Sequence, residues 1–175
     1  MNLALTAPIW LLVIVGLLLL AAAIEDAMRL RISNLTCLGV FVCGLIAIGY
    51  AGISLPLYQN ALVFAALLAV GTLMFGAGQM GGGDVKLLAA LGLWFSFLAA
   101  AWFIATVCIA GGLLALLSLA TRPLRRKLAN KSWKEIQIPY GVAIALGAAV
   151  ILSSQLGMWG SHYQKPDPFA VRPLG

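Results

Sequence analysis

The feature that most constrains this chain is that its apolar residues come in runs of membrane-crossing length: Pro8 to Ile24, Leu35 to Ile53, Leu57 to Gly78, Val85 to Ala120 and Ile138 to Leu156. A hydrocarbon core takes about 20 apolar residues per helical crossing. Inside it every backbone N–H and C=O must be satisfied within the protein, which leaves helices or closed barrels. Barrel strands would read as short alternating segments, whereas these runs are continuous Leu, Ala, Val, Ile and Gly, so the fold class is all-α and polytopic. Only 9% of the residues are charged, against about 25% in soluble domains, which excludes a water-soluble globule. About six transmembrane helices are expected, with Val85 to Ala120 divided into two short crossings near Ser96. They form one membrane domain over residues 1–160, followed by a polar, disordered tail over 161–175. The segment before the first run carries no Lys or Arg, so that run reads as an uncleaved crossing rather than a signal peptide, although Ala21, Ala22 and Ala23 mimic a cleavage site.

Basic residues near crossing ends stay cytoplasmic. With six crossings and the amino terminus outside, Arg29, Arg31, Lys86, Arg122, Arg125, Arg126, Lys127, Lys131 and Lys134 share the cytoplasmic side, and only Lys165 and Arg172 lie across the membrane. A five-crossing chain would separate the Arg122 to Lys134 cluster from Arg29. The net charge of +6 is therefore a topology signal that also meets anionic headgroups of membrane lipids, and no nucleic acid partner is implied. Trp10, Trp94, Trp102, Trp133 and Trp159 fall near run ends and read as interfacial anchors.

The acidic residues are Glu25, Asp26, Asp84, Glu135 and Asp167. An ionisable group beside an apolar run is costly to keep there and points to function. Asp26, ending the first crossing, and Asp84, starting the fourth, share the cytoplasmic edge. Two carboxylates at one site cannot easily both ionise; one holds a proton while the other accepts one, the arrangement that activates water against a peptide carbonyl. Two plainer readings stand beside this one: Asp84 as an N-cap of the helix that Val85 and Lys86 begin, and Asp26 paired with Arg29 three positions on. The glycines around Gly81, Gly82 and Gly83 either let helices pack closely or supply positive-φ backbone that an extended chain can approach. GGGDVK lacks the Gly-Lys-Ser/Thr ending of a phosphate loop. Cys37, Cys43 and Cys108 form no CxxC pair and read as helix packing, so no metal is implied. His162 is a lone tail residue, and Lys86 and Tyr140 are candidates to orient the aspartates or touch substrate.

The stretch Asp26-Ala-Met-Arg-Leu-Arg-Ile-Ser-Asn34 resembles the first motif of the type IV prepilin peptidases, an aspartate followed by basic residues and Ile-Pro-Asn, with Ser33 in place of the proline. Gly81-Gly82-Gly83-Asp84-Val85-Lys86-Leu87-Leu88 is similar to the second, Gly-x-Gly-Asp followed by lysine and leucine, and Pro139-Tyr140-Gly141-Val142-Ala143 to a later Pro-Tyr-Gly-x-Ala stretch. The small size most resembles the Flp/Tad pilus branch. The resemblance implies a cofactor-free aspartic endopeptidase of the bacterial inner membrane that cuts the basic leader from prepilins at the cytoplasmic face. Asp26 and Asp84 would be its catalytic residues, supported by Gly81, Gly83 and Lys86; Glu25 takes no part in the motif. Larger relatives carry a cysteine-rich insertion linked to methylation of the new pilin terminus, so methyl transfer is not expected here. A small transporter or pilus-assembly factor using boundary carboxylates for ions or protons is the competing class. A presenilin-like protease would pair Gly-x-Gly-Asp with a Pro-Ala-Leu motif that this chain lacks. Oligomeric state leaves no mark in the sequence.

Overall fold

The computed structural model describes residues 3–52, 57–120 and 140–155, and within them the chain is helical. A 3-10 turn, Leu3–Leu5, precedes α1 (Ile9–Arg29), α2 (Asn34–Ala51), α3 (Leu57–Gly76), α4 (Gly82–Gly92), α5 (Phe97–Ala120) and α6 (Tyr140–Gln155). The chain is therefore an all-helical polytopic membrane protein. The Arg122 to Lys134 cluster, Trp133, Glu135, Trp159, His162, Lys165, Asp167, Arg172 and the expected tail lie outside the described residues.

Each helix starts and stops where its local chemistry directs. Pro8 presents the extended backbone (φ −65°, ψ 148°) from which α1 begins, and α1 ends on Leu30 in the left-handed region (φ 53°), whose N–H returns to the Asp26 carbonyl. The helix thus runs past Ile24, and Glu25 and Asp26 lie in its last turns rather than after it. Ser33 caps α2, its hydroxyl accepting from the Thr36 N–H at 3.1 Å. After α3 the Gln79 N–H reaches the Met74 carbonyl and the Gly78 N–H the Phe75 carbonyl, each at 2.9 Å. That is a Schellman closure, with Gly78 supplying the left-handed residue (φ 71°).

α1, α2, α3 and α5 are long and apolar enough to cross a membrane; α6 is a shorter apolar helix. The expected break near Ser96 is present, but α4 has only 11 residues, about 16 Å of rise against a hydrocarbon core of about 30 Å. Among the described residues four helices are thus long enough to cross, and α4 is a half-length helix within the bundle, tolerable there because protein surrounds it. α4 packs on α2, α3 and α6, while α1 packs on α2 and α6 and α5 on α6 and α3. Small residues make these approaches close: a Cβ on Gly71 would stand 2.8 Å from Val85 Cγ1, and one on Gly92 2.9 Å from Leu67 Cδ1.

The buried end of α4 is supplied with hydrogen bonds. Asn60 of α3, fully buried, donates its side-chain N–H to the Leu93 carbonyl at 2.9 Å, and the Leu3 N–H donates to the Trp94 carbonyl at 3.2 Å. Trp94 is itself fully buried, its indole N–H facing the Val40 carbonyl at 3.5 Å. It is a core residue, against the expectation of an interfacial anchor, because its run ends inside the bundle and not at a headgroup layer. Trp10 and Trp102 are exposed, as are Ile9, Leu17, Leu98 and Leu113, so the outer surface presents the apolar side chains that lipid requires.

Candidate active site

Asp26 and Asp84 lie at the same end of the bundle, near enough for the charge of one to act on the other. Asp26, in the last turn of α1, is 3% exposed, and its Oδ2 accepts the Val142 N–H of α6 at 3.1 Å, with a further main-chain bond from Gly141. Its partner is thus a helix N-terminus, which carries orphan N–H groups and a positive partial charge, and not Arg29. Asp84 is 9% exposed and is the third residue of α4. It is not the N-cap: Gly81 holds that position, and the Asp84 carboxylate reaches back to the Gly81 N–H, as the acid of a capping box does. Each carboxylate is therefore fixed against a different helix N-terminus. Asp84 also lies within reach of the Asp26 charge.

The Leu30 to Ser33 turn closes the site. A Cβ on Gly83 would stand 3.0 Å from the Ile32 carbonyl oxygen and 3.2 Å from its nitrogen. A Cβ on Gly141 would stand 2.6 Å from Ile32 Cδ1 and 2.8 Å from Asp26 Oδ2. The glycines before Asp84 therefore serve close approach, but the chain that approaches Gly83 is the protein's own. The expected positive φ is absent from Gly81 (φ −71°) and is found earlier in the run, at Gly78. Gly81 must still be small, because a Cβ there would meet Asp84 Oδ2 at 2.8 Å.

Lys86 is exposed and donates from Nζ to Asn34 Oδ1 at 2.8 Å, fastening α4 to the start of α2 beside the acids. Cys37 directs its Sγ to the Gly83 carbonyl at 3.5 Å. Tyr140, half a turn before Val142, is partly exposed beside Met74, Gln79 and Met80 around a cleft of about 380 Å³. Residue spacing did not single out Gly141, Ile32 or Asn34. All three lie inside the quoted motif stretches, which is the signal the sequence offers for them.

Chemically, the arrangement is two buried carboxyls in unlike hydrogen-bonding environments, close enough for one charge to act on the other. One such group that stays protonated beside one that stays ionised is an acid and base pair for water addition to a carbonyl. Among the described residues no three His, Cys, Asp or Glu side chains gather as a metal site.

No curated protein and no solved structure matches the chain. The sequence profile of the type IV leader peptidase family matches residues 12–116, a span that contains both aspartates, the turn between α1 and α2 and the glycines before Asp84. With more than half its length in that match, the chain belongs to the type IV leader peptidase family.

Proposed function

We propose that this chain is an aspartic endopeptidase that removes the leader peptide of a type IV, Flp-like prepilin at the cytoplasmic face of the bacterial inner membrane. The observation that carries the reading is the pair of buried carboxyls, each held at its own helix N-terminus and one under the other's field. In this reading Asp84 holds the proton and Asp26 is ionised, because Asp26 Oδ2 accepts the Val142 N–H at a helix N-terminus, which favours the charged form. Asp26, whose Oδ2 is a hydrogen-bond acceptor, takes a proton from water as the water oxygen bonds to the scissile carbonyl carbon. Asp84 protonates the carbonyl oxygen. As the tetrahedral intermediate collapses, the C–N bond breaks, the proton on Asp26 passes to the leaving nitrogen, and Asp84 recovers its own. The lysine and arginine distribution supports a cytoplasmic site, and the acids' position at helix ends, rather than deep within crossings, favours hydrolysis over ion transport.

The test is cleavage of a peptide with a basic leader, a glycine and an apolar helix by the full chain in membranes. Asp26→Asn and Asp84→Asn should each lose at least about a thousandfold in rate while still inserting, and the double variant should be no worse, since residues acting as a unit are not additive. Substantial activity in either single variant overturns the assignment.

A further inference from the structure

Glu25 precedes Asp26 on α1 and lies outside the motif, yet among the described residues it is one of the most heavily bonded side chains. Its Oε2 accepts the Ser33 N–H at 2.8 Å, and its two oxygens lie 3.3 and 3.2 Å from the Thr36 hydroxyl that donates to them. Thr36 is buried and shares a 2.7 Å hydrogen bond with the Ser33 hydroxyl, which itself accepts the Thr36 N–H. The carboxylate thus spans the turn and sits at the N-terminus of α2, where a negative charge is favoured.

The turn that Glu25 closes is the one that touches both aspartate supports. Ile32, next to Ser33, has its main chain against Gly83, one residue before Asp84, and its Cδ1 against Gly141, whose helix start holds Asp26. Ile32 is 7% exposed, a wedge with no free side. Any movement of the turn therefore moves the start of α4 relative to the end of α1.

We infer that Glu25 is a positioning residue: by clamping the Leu30 to Ser33 turn it sets the separation of Asp26 and Asp84. It does not touch the reacting atoms. This rests on the peptidase reading above. The other titratable and charged groups on the elements packed around the pair are Arg29 on α1, Arg31 in the turn, Cys37 on α2, Lys86 on α4 and Tyr140 on α6, and each stays unchanged in the variants used.

A clamp and a mere helix cap differ in what they do to the pH profile. Two coupled carboxyls titrate in two macroscopic steps whose interval grows with their interaction, and the singly protonated pair is the active form. Loosening the clamp weakens the interaction, brings the two steps together and narrows the bell, whereas a loss of folded protein only lowers its height. The experiment measures kcat and KM for the full chain between about pH 4 and about pH 9 in Glu25→Ala, Glu25→Gln and Thr36→Val. Glu25→Ala should lower kcat by about tenfold or more with KM changed by less than about twofold, since small misplacements of reacting groups are costly, and should narrow the bell. Glu25→Gln keeps an acceptor for the Ser33 N–H and should recover most of the width; Thr36→Val should narrow it by a smaller amount. Limbs that coincide with those of the unaltered chain in Glu25→Ala and Thr36→Val, at any height, overturn the inference, and Thr36→Val decides alone if Glu25→Ala does not insert. An unaltered chain that fails to cleave, or an active Asp84→Asn, sinks the peptidase reading itself, whereas unmoved limbs beside dead aspartate variants sink only the role of Glu25.

Discussion

Gly141→Ala adds one methyl group to the site and should nearly abolish cleavage. The new Cβ would lie 2.8 Å from Asp26 Oδ2, 2.9 Å from Asp26 Cγ and 2.6 Å from Ile32 Cδ1. Ordinary van der Waals contact begins near 3.4 Å, so the carboxylate must retreat by about 0.6 Å. Ile32 Cδ1 can swing aside, because it ends a flexible side chain, but the carboxylate cannot do so freely: it is held by the Val142 N–H at 3.1 Å and by Gly141 itself. Stretching hydrogen bonds to a charged group costs about 1.5–3 kcal/mol, and overpacking costs about 1–3 kcal/mol. A reacting group misplaced by about 1 Å loses about a hundredfold in rate, and kcat/KM should fall by about that factor. Cleavage of the leader peptide by membranes of matched protein content is the assay. Gly49→Ala and Gly112→Ala, where a Cβ meets nothing within 4 Å, are the controls and should stay within about twofold. A Gly141→Ala chain as active as these controls would show that Asp26 is not fixed by the start of α6, and the geometric argument would fall with it.

Gly83→Ala should also lose most activity, since its Cβ meets the Ile32 main chain, whereas Gly82→Ala meets only the Phe75 ring at 3.3 Å and should remain active; equal losses in both would refute the distinction. Asn60→Leu leaves the Leu93 carbonyl without the side-chain donor and should cost about 1–3 kcal/mol, read as a lower unfolding temperature in detergent; an unchanged temperature would remove Asn60 from the account of α4.

The crossings were legible because lipid imposes a length and a composition on each helix, and the acids were legible because a carboxyl is expensive beside an apolar run. What escaped the sequence depends on partners distant along the chain. Trp94 ends an apolar run like any interfacial tryptophan, and only the packing of α2 and α4 shows that the run stops inside the protein. Asn60 follows Gln59 at the start of α3, nothing in the sequence sets the two apart, and the acceptor of Asn60 lies 33 residues away. Of the two roles open to the glycines before Asp84, the structure shows close approach, and positive φ falls at Gly78 instead, because composition cannot tell which of these a glycine serves. Ser33, a departure from the family's proline, finds its reason in the structure as the cap of α2 and as the N–H that Glu25 holds.

The half-length of α4 carries an expectation about bilayer thickness. A thinner or thicker membrane tilts helices that reach both headgroup layers, for which the 21 residues of α1 are long enough, whereas an 11-residue helix enclosed by protein is spared that torque. The two aspartates ride on these two kinds of element, and acyl-chain length is expected to act on one carboxylate more than on the other. Cleavage rates in vesicles of graded chain length should pass through a maximum, at the thickness where α1 stands at the angle that the fixed rod of α4 requires.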